Sequence, residues 1–282
     1  MSEQLLDVRD LTVSLGRGRR KREILHDVEL SVGRGEIVGL IGETGSGKTT
    51  IARTILGLNR IDRGSIELEG TDVARLSSGR LRDFRRAGVA QYVFQDPLRS
   101  LDPGLTIEAS VAEGLRVRGG LERVDIRARV AGALELVGVS AELSARRPDQ
   151  LSGGQRQRVA IARAMVLEPS LLICDEPVSA LDAANRIQML ELLGRLRQTR
   201  PIGMLFISHD LGSVAGITDR VVVLWRGRVV EQASTAELLA NPRHPYTRLL
   251  IGSAPTLTAG AADRARRIEL WAELAAHERA TA

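Results

Sequence analysis

The chain has 282 residues, of which 43% are hydrophobic; this is enough for one large domain or a domain with a subdomain, and it argues against a disordered chain. The net charge is +5, but the 40 basic residues are mixed with 35 acidic ones and only 2% of residues are aromatic, so we expect no nucleic-acid partner. The single cysteine excludes an internal disulfide framework and a multi-cysteine metal cluster.

Apolar runs in this chain are short. None approaches the roughly 18 residues that a membrane-spanning helix needs, and residues 1–7 lack the basic and apolar regions of a signal peptide. We therefore expect the protein in the cytoplasm, or on the cytoplasmic face of the cell membrane as a peripheral subunit held there by a partner.

The first part of the chain is predicted to form strands. Residues 5–15 and 24–32 are predicted to be two strands, and in the second Val28, Leu30 and Val32 alternate with polar neighbours. The basic stretch Gly16–Arg22 between them is typical of an exposed hairpin tip, and contact with anionic lipid head groups stays open as an alternative. The apolar run Glu36–Ile41 predicts a third strand, and the spacing of Thr49–Leu56 predicts a helix.

Between that strand and that helix lies Gly-Glu-Thr-Gly-Ser-Gly-Lys-Thr, which matches the phosphate-binding pattern G-x-x-x-x-G-K-[ST]. Backbone N–H groups of such a loop cradle phosphates, and the lysine reaches the β- and γ-phosphates. Only Lys21 and Lys48 are lysine among the 40 basic residues, and a compact ammonium suits this loop better than a planar guanidinium. The residues expected to bind nucleotide here are Gly42, Glu43, Thr44, Gly45, Ser46, Gly47, Lys48, Thr49 and Thr50.

The middle of the chain changes character. Short strands are predicted at Ile66–Gly70 and Val89–Phe94, and from about Thr106 to Arg147 the apolar spacing becomes that of helices. We therefore expect a helical subdomain, at about residues 98–165, inserted into a larger domain that covers residues 1–240.

Strand patterns resume in the second half, at Leu171–Cys174, Gly203–Ser208 and Arg220–Leu224, with an amphipathic helix between the first two. Alternation of strands and helices predicts an α/β fold with a mainly parallel sheet. A capping-box pattern at Ser234–Glu237 predicts a short helix that stops at Asn241-Pro242. A C-terminal extension at residues 241–282 follows, with a last helix predicted near residues 267–277.

Two acidic residues follow the predicted strand Leu171–Cys174. Parallel sheets hold their ligands beyond the carboxyl ends of their strands, so these acids are expected to lie beside the phosphate loop. Asp175 is suited to orient Mg²⁺ or its water, and Thr49 is suited to bind the ion directly. Glu176 is suited to act as the general base that polarises the attacking water.

A second anion-binding pattern is Leu-Ser-Gly-Gly-Gln at residues 151–155. Its serine and glutamine fit a capping box at the start of a helix that runs to about Leu167. The same geometry leaves open N–H groups at the positive end of the helix dipole, facing an anion. The residues expected to bind phosphate here are Ser152, Gly153, Gly154 and Gln155.

Two phosphate-binding surfaces joined by a helical insertion resemble the nucleotide-binding subunits of ABC transporters, over about residues 5–252. The resemblance implies a P-loop ATPase that pairs head to tail with a second ATPase subunit, identical or different, whose signature covers the γ-phosphate. It also implies that Lys48, Glu176 and His209 are catalytic, that Gln95 senses Mg²⁺ and water, and that Asp182 lies in the loop crossing the dimer interface.

A finer resemblance is to the peptide/nickel branch of ABC importers. It implies an ATPase, with ATP and Mg²⁺, that energises import of di- or oligopeptides through two transmembrane permease subunits, served indirectly by an extracytoplasmic solute-binding protein. Import of nickel or another small solute, and a soluble non-transport ABC ATPase, stay open as alternatives. The segments that carry this resemblance are Val93–Pro97, Ser100–Pro103, Gln155–Arg163, Asp175–Asp182 and Asn241–Thr247, the last of which contains the sequence His-Pro-Tyr.

The chain departs from the family near the end of the first strand. The family usually stacks adenine on an aromatic residue there, and this chain reads Leu11-Thr-Val-Ser-Leu15. Leu15 is the equivalent position, so stacking on the base is weak or comes from an arginine plane such as that of Arg17.

We therefore expect Leu15→Tyr to tighten ATP binding, because the new ring supplies a stacking surface for adenine. The measurement is the dissociation constant for ATP of the variant beside that of the wild type. Unchanged or weaker affinity would contradict the assignment of this position.

Overall fold

The computed structural model describes residues 4–16, 18–253, 269–277 and 279. The strands are β1 (Gln4–Leu15), β2 (Arg22–Gly33), β3 (Ile37–Ile41), β4 (Arg63–Leu68), β5 (Thr71–Asp72), β6 (Ala90–Val93), β7 (Leu171–Asp175), β8 (Gly203–Ile207), β9 (Arg220–Trp225) and β10 (Arg228–Ser234). The helices are α1 (Lys48–Ile55), α2 (Ser78–Ala87), α3 (Ile107–Arg118), α4 (Arg123–Leu136), α5 (Gly153–Met165), α6 (Ala183–Thr199), α7 (Leu211–Ile217), α8 (Thr235–Ala240) and α9 (Pro245–Gly252). Residues 269–277 are also helical.

The smaller sheet is antiparallel and has the strand order β2-β1-β4-β5. Its first two strands cover the ranges predicted from alternation, and a short 3₁₀ turn at Gly18–Arg20 joins them at the predicted hairpin tip. Buried side chains of β1 such as Leu6 and Val8 lie opposite Val32 and Leu30 of β2, so the alternating face becomes part of the core.

The larger sheet has the order β10-β9-β3-β8-β7-β6. All its pairs are parallel except that of β10 with β9. Because β3, β8 and β7 are neighbours, the segments that follow them meet at one edge of the sheet. The predicted α/β fold with a mainly parallel core and an N-terminal antiparallel part is confirmed.

The two faces of the larger sheet bury different elements. Val38 and Leu40 of β3 face a core shared with α1 and the antiparallel sheet. Ile37 and Ile41 of the same strand face a second core shared with α3, α4, α5 and α6. This two-residue alternation within a continuous apolar run is what a strand buried on both faces requires.

Helices occupy the region where helical spacing was predicted, since α3 and α4 both lie between residues 106 and 147 and pack against α5. Several elements were not predicted, among them the helices α2 and α7 and the strand β10. Helix α2 carries four arginines, at positions 80, 82, 85 and 86, and none of its residues is fully buried. Its apolar face consists of the partly buried Leu81 and Phe84, which is too short a pattern to mark a helix in the sequence. Strand β10 is an edge strand without a fully buried side chain, which weakens the alternation that marks a strand.

The end of the chain also follows the prediction where it is described. Ser234 caps α8 by accepting a hydrogen bond from the backbone N–H of Glu237, and the helix ends at Ala240, just before Asn241-Pro242. The predicted last helix is present over residues 269–277, and its first positions, 267 and 268, lie outside the described residues. Across the described ranges, no helix is both long enough and apolar enough to cross a bilayer.

Arg220 joins the two sheets. Its guanidinium donates to the backbone carbonyl and the hydroxyl of Ser31 on β2, at 2.7 and 3.2 Å, and to the Glu36 carboxylate at 3.1 Å. The Arg220 side chain is only 24% exposed, so these bonds are partly shielded from water. Hydrogen bonds that have a charged donor and are partly shielded from solvent contribute measurably to stability.

We expect Arg220→Met to lower the free energy of unfolding by about 2 to 3 kcal/mol, because it removes the cation that is paired with the Glu36 carboxylate and the donor to Ser31. Urea denaturation measures this. The matched control is Arg228→Met on β10, whose ion pair with Asp27 spans 3.7 Å and whose side chain is 59% exposed. That variant should lose less than about 1 kcal/mol. Equal losses in the two variants would contradict the role of Arg220.

Candidate active site

The phosphate loop joins β3 to α1, and its backbone leaves no room for side chains at two glycines. Gly42 has a φ of 155°, and a Cβ there would lie 2.1 Å from the Leu224 carbonyl oxygen. Gly47 has a φ of 112°, and a Cβ there would lie 2.6 Å from a methyl carbon of Leu25. Strands β9 and β2 therefore pack directly on the loop, and glycine permits this close approach.

Lys48 begins α1 and is 7% exposed. Its ammonium donates to the backbone carbonyl oxygens of Gly42 at 2.6 Å and of Glu43 at 2.8 Å. Burial lowers the pKa of Lys48, while the nearby carboxylates of Glu176 and Asp175 act in the opposite direction. The loop thus holds a desolvated cation that a triphosphate can neutralise.

Asp175 is the last residue of β7 and is 9% exposed. Its Oδ2 accepts a hydrogen bond from the Thr49 hydroxyl at 3.1 Å and another from the Tyr92 hydroxyl. Burial, followed by this contact with Asp175, raises the pKa of Tyr92, so the phenol keeps its proton and donates it. Tyr92 was not predicted as a site residue, because no motif marks it and its contact depends on β6 pairing with β7.

Three more of the predicted residues meet at one carboxylate. Glu176 Oε2 accepts a hydrogen bond from the Gln95 amide at 2.8 Å, and its Oε1 lies 2.9 Å from His209 Nδ1. The backbone N–H of Glu176 donates to the Ile207 carbonyl at 2.9 Å, which ties the segment after β7 to the end of β8. Glu176 has a φ of 50°, a conformation that residues other than glycine adopt mainly where surrounding contacts impose it.

These groups surround a cavity of about 660 Å³. Most of the loop lines it, and so do Gln95, Asp175, Glu176 and His209. Its size is within the range of small-molecule sites. Ser46 of the loop is buried and does not line the cavity.

The second predicted phosphate-binding segment lies elsewhere. Its capping box is present, because the Ser152 hydroxyl accepts from the Gln155 backbone N–H and the Gln155 side chain accepts from that of Ser152. Asp182 caps α6 by accepting from the Asn185 backbone N–H at 2.9 Å, and this bond lowers the pKa of Asp182. The two caps are close, since a Cβ on Gly154 would lie 3.0 Å from Asn185 Oδ1. Neither cap lines the cavity in this single chain.

Two residues that were not predicted also line the cavity, namely Ile24 of β2 and Leu250 of α9. Leu15, the position expected beside adenine, is 39% exposed and is not among the lining residues. Arg17, the alternative, lies outside the described residues. The described walls beyond the phosphate loop are thus partly aliphatic, and Ile24 comes from the strand that pairs with the expected one.

Comparison with known proteins identifies the family. The chain matches the family model described as ABC transporter over residues 25–179, and the model described as the oligopeptide/dipeptide transporter C-terminal region over residues 230–278. The chain belongs to the ABC transporter family, in the group that carries this C-terminal region. It is an ATPase and binds ATP.

Two curated relatives have names that state what they transport. A putative peptide import ATP-binding protein of Brucella ovis is 46% identical over 252 residues, which cover 89% of this chain and 79% of the relative. The oligopeptide transport ATP-binding protein AmiF of Streptococcus pneumoniae is 40% identical over 257 residues, covering 90% and 83%.

Solved structures share the fold. A dimeric, post-hydrolysis ATP-binding cassette bound to ADP and Pi has a TM-score of 0.73 and 27% identity, with 82% of this chain and 99% of that chain covered. Part of the ABC transporter complex cbiONQ from Clostridium perfringens has a TM-score of 0.76 and 28% identity, covering 88% and 96%.

Proposed function

We propose that this chain is the ATP-hydrolysing subunit of an importer for di- and oligopeptides. The proposal rests on two features found in the same chain. One is the cavity at the phosphate loop, and the other is residues 230–278, which match the oligopeptide/dipeptide transporter C-terminal region. Relatives that align with about nine tenths of the chain carry names of peptide import or oligopeptide transport. In this proposal residues 1–240 form the ATPase domain, with a helical subdomain at about 98–165, and residues 241–282 form an extension.

The proposed site is completed by a second ATPase subunit. Ser152 and Gly153 are exposed at the start of α5, outside the cavity that they would have to cover. A helix N-terminus with unpaired N–H groups binds an anion best when those groups point at the anion. We therefore assign Ser152, Gly153, Gly154, Gln155 and Asp182 to an interface with a second copy or a sister subunit, across which the γ-phosphate is held.

The proposed chemistry is in-line attack of water on the γ-phosphate. Glu176 takes the role of base, because both its oxygens are held in place, one by the Gln95 amide and one by His209. Lys48 and His209 neutralise charge on the phosphoryl oxygens. Catalysis in such sites comes mainly from positioning and electrostatic stabilisation, which the fixed geometry of these groups supplies.

A magnesium ion fits the oxygen atoms at this site. Mg²⁺ binds few protein ligands and keeps its waters and the substrate's phosphate oxygens, so one hydroxyl and one carboxylate are a sufficient protein contribution. The Thr49 hydroxyl and Asp175 Oδ2 lie 3.1 Å apart, and the carbonyl oxygen of the Gln95 side chain is the third candidate ligand. When bound, the ion neutralises charge on the β- and γ-phosphates.

The proposed partners are two transmembrane permease subunits, which would hold this chain on the cytoplasmic face of the membrane. An extracytoplasmic solute-binding protein would deliver the peptide to them without touching this chain. One observation supports this arrangement: a structural neighbour is part of an ABC transporter complex.

We expect Glu176→Gln to bind ATP and to accumulate as a closed dimer, with hydrolysis slowed by at least about a hundredfold, because the amide cannot take a proton from water. Steady-state phosphate release and gel filtration with ATP measure the two effects. The control is Lys48→Ala, which should neither bind ATP nor dimerise with it. Turnover at the wild-type rate in Glu176→Gln would remove Glu176 as the base.

The cargo is tested by transport. The chain should co-purify with two membrane permease subunits, and proteoliposomes of the full complex with the binding protein should take up labelled di- and oligopeptides only with ATP. Uptake of Ni²⁺ but not of peptides would replace the proposed cargo. Failure to co-purify with any membrane protein would favour a soluble ABC ATPase instead.

A further inference from the structure

The C-terminal region contacts the phosphate loop through one buried tyrosine. Tyr246, the second residue of α9, is 0% exposed. Its hydroxyl oxygen accepts a hydrogen bond from the backbone N–H of Glu43 at 2.8 Å. A loop whose N–H groups are expected to face phosphate thus gives one of them to a side chain 203 positions later in the sequence.

The peptide group that joins Gly42 to Glu43 is held on both sides. Its N–H donates to Tyr246, and its carbonyl oxygen, that of Gly42, accepts from the Lys48 ammonium at 2.6 Å. A peptide group is planar, so its N–H and its carbonyl cannot turn independently. The bond to Tyr246 therefore fixes the orientation of the carbonyl that holds Lys48.

Tyr246 is itself fixed by its neighbours. Its ring stacks on Trp225, with ring centroids 5.5 Å apart and planes at 27°. His244 caps α9 by accepting from the Tyr246 backbone N–H at 3.1 Å, and the Glu231 carboxylate on β10 accepts from the His244 backbone N–H at 2.9 Å. Burial raises the pKa of Tyr246 to about 12, so the hydroxyl is neutral at physiological pH.

The next turn of the same helix lines the nucleotide cavity. Leu250 follows Tyr246 by four residues, which places both side chains on one face of α9. Leu250 is partly buried and is one of the cavity's lining residues, together with Ile24 from the N-terminal sheet. One helix face therefore contacts the loop with a hydroxyl and the cavity with an aliphatic side chain.

We propose that α9 of the C-terminal region is part of the nucleotide site. Tyr246 is a positioning residue that orients the Gly42–Glu43 peptide group for triphosphate binding, and Leu250 contacts the nucleoside beyond the phosphates. This rests on the proposed role of Lys48 and its loop. Preorganisation of this kind raises affinity without a direct contact, because the loop is already ordered when the ligand arrives.

The first test is Tyr246→Phe in the full chain, which removes the hydroxyl and keeps the ring. We expect the dissociation constants for ATP and for inorganic tripolyphosphate both to rise about fivefold by calorimetry, with kcat at saturating ATP within twofold of the wild type. The Glu43 amide should also exchange its hydrogen faster. The chain has two tyrosines, so Tyr92→Phe is the matched control, and it should leave exchange at the Glu43 amide unchanged.

The second test is Leu250→Ala. We expect the dissociation constant for ATP to rise about three- to tenfold and that for tripolyphosphate to stay unchanged, because the lost contact is with the nucleoside. An equal loss for both ligands would overturn this role and make Leu250 a support of the loop.

Loss of the proposed site and loss of the proposed role of Tyr246 give different results. Lys48→Ala should abolish binding of both ligands, and if it does while Tyr246→Phe binds ATP with wild-type affinity, the role of Tyr246 is wrong and the site stands. If Lys48→Ala binds ATP normally, the site itself is wrongly assigned. A lower melting temperature of Tyr246→Phe with unchanged affinity and unchanged exchange at Glu43 would make Tyr246 a purely structural residue.

Discussion

Parallel pairing of β3 with β8 and of β8 with β7 is the constraint on which the site depends. It places the phosphate loop, the segment with His209, and the acids at the end of β7 in one row. The register matters as much as the order, since Asp175 pairs with Ile207 at the last position of the ladder. Side chains alternate between faces along a strand, so a slip of one residue would turn Asp175 away from Thr49 and into the opposite core.

With the strands in this order, the charged groups of Lys48, Asp175 and Glu176 already have partners in the same chain. Lys48 donates to two loop carbonyls, Asp175 accepts from Thr49 and Tyr92, and Glu176 is held by Gln95 and His209. Binding ATP therefore exchanges hydrogen bonds instead of adding them to free groups, and such exchanges contribute little net free energy. The affinity must come chiefly from charge neutralisation in a partly desolvated cavity and from the order of the loop before binding.

The sequence reveals the parts of the site that are local. The phosphate loop, the acids after β7 and the helix start at Ser152 are each contained in a few consecutive residues, and the strands beside them have strong apolar patterns. Contacts that depend on pairing between distant segments are not visible in this way. Tyr92 lies 83 positions from Asp175, and Tyr246 lies 203 positions from Glu43. The sequence predicts Leu15 of β1 beside adenine, whereas the described cavity is lined by Ile24 of the neighbouring strand β2.

The hydrogen bond between Tyr246 and the Glu43 amide couples α9 to the phosphate loop, and this coupling acts in both directions. If α9 raises the affinity of the loop for nucleotide, then bound nucleotide stabilises the attachment of α9 by the same free energy, because coupling between two equilibria is reciprocal. The helical residues 269–277 contact the same region. His277 lies edge-on to His244, with ring centroids 4.9 Å apart, and Trp271 and Leu274 border a small cavity beside the phosphate loop. A protein that bound this C-terminal surface would therefore act on the phosphate loop through Tyr246, without needing to reach the nucleotide.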